Sequence, residues 1–557
     1  MKRIFYNGRV YTGVLPLAEA FVVENDKFIF AGSNEEAKAL AKEGDRLLNL
    51  DGKFVCSGFN DSHMHLISFG NVLMKARLDE HTSSLKGLLE YLKEYEKENP
   101  HSDGDWLTGR GWNQDYFADT DRMPDRYDLD RVSLTVPICV ERACGHCLVV
   151  NSRALELLHV TADTPQPEGG EIGRENGEPD GRFYDNAMDL VYTALSVPDK
   201  ESLKKMIRIA GKVLNSYGIT SCHSDDYSTF RQIPWRVIHE VYHELEAAGE
   251  LTVRVCEQNN FTSLSELKEF VDAGQRTGVG TELFRTGPLK MLGDGALGAH
   301  TAFLSRPYAD APGTCGIPVF TQKAFDEMIG YANEHQMQVA VHAIGDACLD
   351  RVLSACEKAL AVHPREDHRH GIVHCQITRP DQLEKIRKLG MRVYAQSIFL
   401  DYDNHIVEQR VGSTLAATSY SWKTLMKMGV PVSNGSDCPV ELPWPLAGIQ
   451  CAVTRTSLRD HVGPYLPEQA FTMQEALDSY TFQGAQASFE EQIKGRIQPG
   501  MLADFVILAE DPFEVPADSI KDIVVLATYL GGRQVFCSSC MSDVSESAGC
   551  VMNEQTV

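Results

Sequence analysis

His63 and His65, in the stretch CSGFNDSHMHL, stand two residues apart where an apolar run ends. Imidazole nitrogens suit zinc, manganese or iron, and in an extended strand residues i and i+2 point the same way, so both rings can face one ion. Spacing alone is weak evidence, because 18 His in 557 residues give roughly half of one such pair by chance. A second pair, His368 and His370, is indeed present. Context separates the two. If His63 and His65 end a barrel strand, the ends of the other strands should bring further ligand groups to the same rim. Four do: Lys290 in GPLKMLGDG, His342 in VAVHAIGD, His374 in GIVHCQ and Asp437 in VSNGSD. Each alone also reads as a buried histidine or a helix-capping aspartate. Together they offer three to five ligands and room for water, the open coordination of a catalytic metal site. Lys290 is the odd member, since an ammonium has three donors and no lone pair. It has to be deprotonated, or carry a carbamate whose oxygens can bind.

The elements that must position these groups follow from the chain's periodicity. From about residue 202, helical patterns alternate with short apolar runs: SLKKMIRIAGKVLNSYG before ITSCHSDD, KAFDEMIGYANEHQ before MQVAVHAIGD, SWKTLMKMG before VPVSNGSD, and four more such pairs. With the strand around KFVCSGFNDSH this makes eight strands in parallel βαβ units, the grammar of a closed (β/α)8 TIM-like barrel in the α/β class. The flanks read as short alternating strands with Gly and Asn turns, so residues 1–56 and 491–540 are expected to build one small β-sandwich from both termini. Residues 57–78 hold the first barrel strand and its loop, and 201–490 the rest of the barrel. Residues 79–200 are too long for a loop and predict an inserted α/β subdomain over the barrel mouth. It begins with a helix that places Leu85, Leu88, Leu89 and Leu92 on one face. Residues 541–557 read as a flexible tail.

Composition sets outer bounds. Hydrophobic residues make up 43% and charged residues 24%, an ordinary globular balance. A net charge of -25 argues against nucleic acid or an anionic membrane as partner, since both need clustered Lys and Arg. The expected partners are a small-molecule substrate and, allowed by the sequence, a second copy in a homodimer. No apolar leader follows the charged start MKRIFYNGRVYTG, and the expected location is cytoplasmic. The 15 Cys are scattered and read as reduced thiols, and the CSSC stretch from Cys537 to Cys540 lacks the second pair of a zinc site.

With these residues in view the chain resembles the amidohydrolase superfamily, within it amidohydrolase family 3, the branch that includes N-substituted formamide deformylase. The resemblance rests on the strand-end pattern above, on GRIQPGMLADFVIL near the C-terminus, and on GRGWNQDYF, GHCLVVNSRAL, PEGGEIGRENGEPDGRF, DGALGAHTAFL and HAIGDACLDRVL. It implies that His63, His65 and Asp437 hold one metal and His342 and His374 a second, with carboxylated Lys290 between them. Zinc is the implied metal, manganese or iron being alternatives. It further implies hydrolysis of a non-peptide C–N bond, amide or N-formyl, by metal-activated water, with Asp437 carrying the proton to the leaving amine.

Other readings compete. HEVYH, His239 to His243, fits the zinc peptidase helix signature, but Ile238, Val241, Tyr242 and Leu245 make the core stripe of that helix and no third ligand follows at the usual spacing. Deaminases of the superfamily carry a Glu three residues after the fifth-strand His, where this chain has Gly345. An esterase, an isomerase and a metal-binding scaffold without turnover also remain open. Trp112 and His146 in the insertion and His223 at the end of the second strand are candidate substrate contacts. For Trp112 and His146 the alternatives are packing within the insertion and a turn cap. Asp346 is expected to cap the following helix or, with Asp294, to support a ligand from behind.

Overall fold

The computed structural model describes residues 1–539 except 82, 100–104, 143–146, 168–169, 186 and 196. Eight strands lie side by side in sequence order, all parallel: β1 (Phe59–Met64), β2 (Ile219–Ser224), β3 (Arg254–Asn260), β4 (Phe284–Leu292), β5 (Val339–Ala343), β6 (Gly371–His374), β7 (Arg392–Ala395) and β8 (Val432–Asn434). Helices such as Trp235–Ala247, Gln322–Glu334 and Asp346–Val362 run between them. The strands are short and almost wholly buried, as parallel strands covered on both faces must be.

The ring closes where β8 meets β1. Asp437 N–H donates to His63 O at 2.8 Å and His65 N–H to Cys438 O at 2.8 Å. Asp61 clasps the same seam, accepting from Ser436 N at 3.0 Å and Ser436 Oγ at 2.5 Å. The closure that completes the barrel therefore fixes the backbone of two candidate ligands.

Both termini supply a β-sandwich. One sheet holds Lys2–Tyr6, Ala20–Glu24, Lys27–Gly32 and Arg46–Asn49; the other holds Arg9–Val10, Phe54–Ser57, Phe505–Leu508, Val525–Leu530 and Arg533–Cys537. Between them Phe5 stacks on Phe21 with centroids 4.6 Å apart, and Phe505 on Tyr529 at 4.3 Å. Residues from opposite ends of the chain thus share one core. Arg254 at the start of β3 makes a buried two-pronged bond to Asp504, at 2.7 and 3.0 Å, tying barrel to sandwich.

The insertion forms its own compact unit, Phe69–Met206. Its six strands, ordered Gly170–Glu175, Glu178–Asp185, Cys147–Val150, Ile138–Arg142, Leu107–Trp112 and Ala76–Arg77, carry the helix Leu85–Glu98, whose Leu85, Leu88, Leu89 and Leu92 are all buried. The buried Cys222, Cys256, Cys348, Cys356, Cys375 and Cys438 are free thiols, and Cys540 lies outside the described residues. No helix among the described residues is long and apolar enough to cross a membrane.

Candidate metal centre

The side chains of β1, β5, β6 and the turn after β8 meet at the C-terminal end of the barrel. Ligand-capable atoms of His63, His374 and Asp437 all lie within 4.8 Å of one another. Asp437 Oδ1 is 3.3 Å from His63 Nε2 and 3.2 Å from His65 Nε2, so one oxygen faces both histidines of the opening pair. On the other side His374 Nε2 stands 2.9 Å from His342 Nδ1. Five of the six candidate ligands are thus joined in one chain of contacts, His65–Asp437–His63 running on to His374–His342.

Two of these residues hold backbone that L-amino acids avoid. His374 has φ +74° and Asp437 φ +58°, and Cys375 follows His374 at +51°. Left-handed conformations at non-glycine residues persist where surrounding structure enforces them, and they gather at functional sites.

Each ligand is aimed by a partner. Gln258 Oε1 sits 2.6 Å from His63 Nδ1 and Gln396 Oε1 2.8 Å from His374 Nδ1. Both leave the Nε2 edge of the imidazole toward the cluster, the usual division of labour in metal-binding histidines. His65 Nδ1 is 3.1 Å from Asp225 O. Asp294, at the end of β4, accepts from Ile344 N at 3.1 Å and Gly345 N at 2.8 Å, and its Oδ1 is 3.3 Å from His342 Nε2. The supporting role weighed for Asp294 fits this geometry. Asp346 does not cap its helix. The cap position is Gly345, and the Asp346 carboxylate instead binds Ser305 and Arg379, at 2.5 and 2.6 Å.

Lys290 is fully buried with Nζ 3.4 Å from Asp225 Oδ2, which also accepts from Asn260 Nδ2 at 3.0 Å. Without modification Lys290 is therefore paired with a carboxylate. Asp225, Gln258 and Gln396 were not identified from sequence. Asp225 carried a usable signal: it follows His223 by two residues, as His65 follows His63.

The charges are set by burial and by each other. Burial, with the Lys290 charge, brings His63 down to about 4. His374 falls well below its ordinary value through burial and the neighbouring His342. Both rings are therefore neutral at pH 7, with lone pairs free for a cation. Burial would raise Asp437, but the neighbouring His63 and His65 rings outweigh it and hold the carboxyl well below its usual range. Asp61, beneath the seam, is pushed up to about 7 by burial. A neutral imidazole pair beside an ionised carboxylate is a donor set that fits a divalent cation.

The proposed substrate contacts fare differently. Trp112 is completely buried among insertion residues and its indole N–H donates to Val140 O at 3.1 Å, so it is a core residue and the substrate reading is withdrawn. His146 lies outside the described residues. His223 does face the barrel interior, but it is almost wholly buried within it, its ring edge-on to Tyr394 at 6.2 Å, and burial brings it down to about 3. It is a core histidine beneath the rim, not a contact at the mouth. The decoys resolve as packing. His239 is buried against Tyr227 Oη at 2.5 Å while His243 is half exposed. His370 and His368 bond Asn333 Oδ1 and Leu389 O.

The chain is similar to known proteins over most of its length. A family model described as "Amidohydrolase family" matches residues 46–536. YtcJ of Bacillus subtilis (strain 168), named for the amidohydrolase class alone, is 33% identical over 96% of this chain and 99% of its own. N-substituted formamide deformylase of Arthrobacter pascens is 25% identical over 92% and 94%. Among solved structures, an uncharacterized metal-dependent hydrolase from Pyrococcus furiosus superposes with a TM-score of 0.76 at 28% identity, over 92% of this chain and all of that one. By this match, and by the barrel whose strand ends carry the cluster, the chain belongs to the amidohydrolase family.

Proposed function

We propose that this protein is a metal-dependent hydrolase cleaving a non-peptide C–N bond, amide or N-formyl, in a small molecule. The observation that carries the reading is the convergence of His63, His374 and Asp437 within 4.8 Å at the strand ends. His63, His65 and Asp437 would hold one divalent ion and His342 and His374 a second, zinc before manganese or iron. Such an ion supplies Lewis acidity that polarises a carbonyl and makes water a nucleophile near neutral pH. Lys290 would contribute as a carbamate. Its negative charge would stand beside the Asp225 carboxylate, so bound cations and the carbamate must arrive together.

Asp437 is the proton carrier in this reading. Ionised at neutral pH, it can accept a proton at the reacting centre and release it to the leaving nitrogen, which a neutral amine needs in order to depart. Gln258 and Gln396 keep His63 and His374 from rotating during this transfer. A deaminase would need its glutamate at position 345. A Cβ there would lie 2.0 Å from Phe303 O, so the position admits no side chain without a backbone shift. The similarity to N-substituted formamide deformylase supports a formamide or a related amide over an ester.

Amine release from a panel of N-formyl and N-acyl amines, with protein loaded with zinc or manganese, tests the reading. Tight metal binding without amine release from any of them would overturn it in favour of a scaffold. Faster cleavage of a matched ester would move the reaction class.

A further inference from the structure

The chain turns tightly after Asp437, where Val440 N–H donates to Asp437 O at 2.9 Å, and Glu441 is the next residue. The Glu441 Cα therefore lies within about 11 Å of the Asp437 Cα, at the metal-bearing end of the barrel. Glu441 is half-buried, and among the described residues no hydrogen bond or ion pair reaches its carboxylate. The charges that act on it are Asp401, Arg459 and Asp403. Arg459 is spent elsewhere: its Nε stands 3.4 Å from Asp401 Oδ2 and its side chain is 85% exposed. Burial and then the Asp401 charge push Glu441 up to about 7. An unpaired carboxylate half out of water beside like charges is costly, and near a reacting centre such groups mark binding.

A second group in the turn after β7 is also incompletely matched. Asp403 is 8% exposed, and its two hydrogen bonds, from Gln376 Nε2 at 2.8 Å and Tyr420 Oη at 2.7 Å, both land on Oδ2, so Oδ1 receives none. Asp401 differs, since Ser457 Oγ and Leu458 N donate to its Oδ1 and Arg459 faces its Oδ2. The negative charge left unmatched is thus that of Glu441 and one oxygen of Asp403. A bare metal ion does not fit there. Among the described residues the one group of three candidate ligands within 4.8 Å of one another is His63, His374 and Asp437. Oxygens spread more widely than an ion's coordination shell suit a larger cation that carries its own hydrogen-bond donors, and an alkylammonium has three. The net charge of -25 favours the approach of such a cation.

We infer that Glu441, together with Asp403, recognises an ammonium group on the non-reacting end of the substrate, so that the preferred substrate is an N-formyl or N-acyl derivative of a diamine. The arriving cation holds the Glu441 carboxyl ionised and relieves its repulsion with Asp401 and Asp403. Glu441 touches the substrate but not the reacting atoms, so it sets specificity while Asp437 carries the proton. The inference rests on the hydrolase reading and adds the class of substrate to it.

The test uses the full zinc-loaded chain and N-formyl alkylamines of matched length, one series ending in an ammonium and the other in a methyl group, over several chain lengths. Calorimetric titration with the corresponding diamines reports binding independently of turnover. At its best chain length the wild type should favour the ammonium compound in kcat/KM by about tenfold or more, and Glu441→Gln should cut the ammonium-to-methyl ratio by about tenfold. Glu441→Lys should reverse the preference, and it decides the matter if the glutamine retains a hydrogen bond to the ammonium. A purely structural role would move both series together and leave the ratio unchanged. An unchanged ratio in both variants, a wild-type preference for the methyl compounds at every length, or diamine binding that ignores both substitutions overturns the inference. Diamine binding that weakens in the variants, without amine release from either series, would support the ammonium site and refute the hydrolase reading instead.

Discussion

Replacing Asp225 by alanine in metal-free protein removes the carboxylate that faces Lys290. The two groups are 3.4 Å apart and both side chains are fully buried. At that distance the Coulomb attraction is about 5 kcal/mol at an effective dielectric of about 20, and stranding one member of a buried pair costs about 3–5 kcal/mol. Asn260 Nδ2 and Ser228 Oγ lose their acceptor in the same substitution. The barrel and sandwich form a unit of roughly 400 residues, for which the unfolding entropy is about 0.9 kcal/mol per kelvin, so the melting temperature should fall by about 3–6 °C. Burial alone would raise the Asp225 pKa, but the Lys290 charge, together with the His65 ring and the hydrogen bond from Asn260, outweighs it and lowers it. A depressed folded pKa stabilises above the unfolded value and loses that contribution as pH falls through the folded one. The gap between wild type and variant should thus be full at neutral pH and shrink in acid below about pH 4. Calorimetry on chelator-treated protein reads both effects. A fall of less than about 1 °C, or a gap that widens in acid, would refute the ion pair. The double variant Asp225→Leu with Lys290→Met should recover most of the loss, because an apolar pair leaves no stranded charge.

Other expectations are briefer. Asp437→Asn should lower kcat by at least about 10²–10⁴-fold with an unchanged circular dichroism spectrum; retained turnover would remove Asp437 from proton transfer. Gln258→Leu and Gln396→Leu should each weaken metal binding by about 10–100-fold in competition with a chelator, because they free His63 and His374 to rotate. Unchanged affinity would mean that the rings are held by packing alone. Trp112→Ala should destabilise the insertion by about 3–5 kcal/mol; normal stability with a raised KM would restore the substrate role withdrawn above. His243→Ala should leave metal content and turnover as they are, and loss of bound metal would revive the peptidase helix.

Much of this was legible in sequence because it depends on periodicity. Eight short apolar runs separated by helical patterns can close into a barrel in few ways, and barrels collect function at one end of their strands. His63, His374 and Asp437 could be picked out because each stands at the end of such a run. The residues that aim them could not. Gln258 and Gln396 are ordinary polar residues on strand ends, and nothing in their type announces that a ring nitrogen waits opposite. Trp112 and His223 failed for another reason: an aromatic or an imidazole serves a core as readily as a pocket, and only packing shows which. Gly345 shows the reverse, since the backbone oxygen of Phe303, forty-two residues away, decides what position 345 can hold.

Side chains from separate strands are expected to share a cation at one rim, which anomalous diffraction from crystals grown with zinc would reveal. The expected result is a peak bounded by His63, His65 and Asp437, with a second bounded by His342 and His374 when Lys290 carries its added carboxyl group. Strong zinc peaks elsewhere on the chain, with ordered and metal-free side chains at His63, His374 and Asp437, would contradict it.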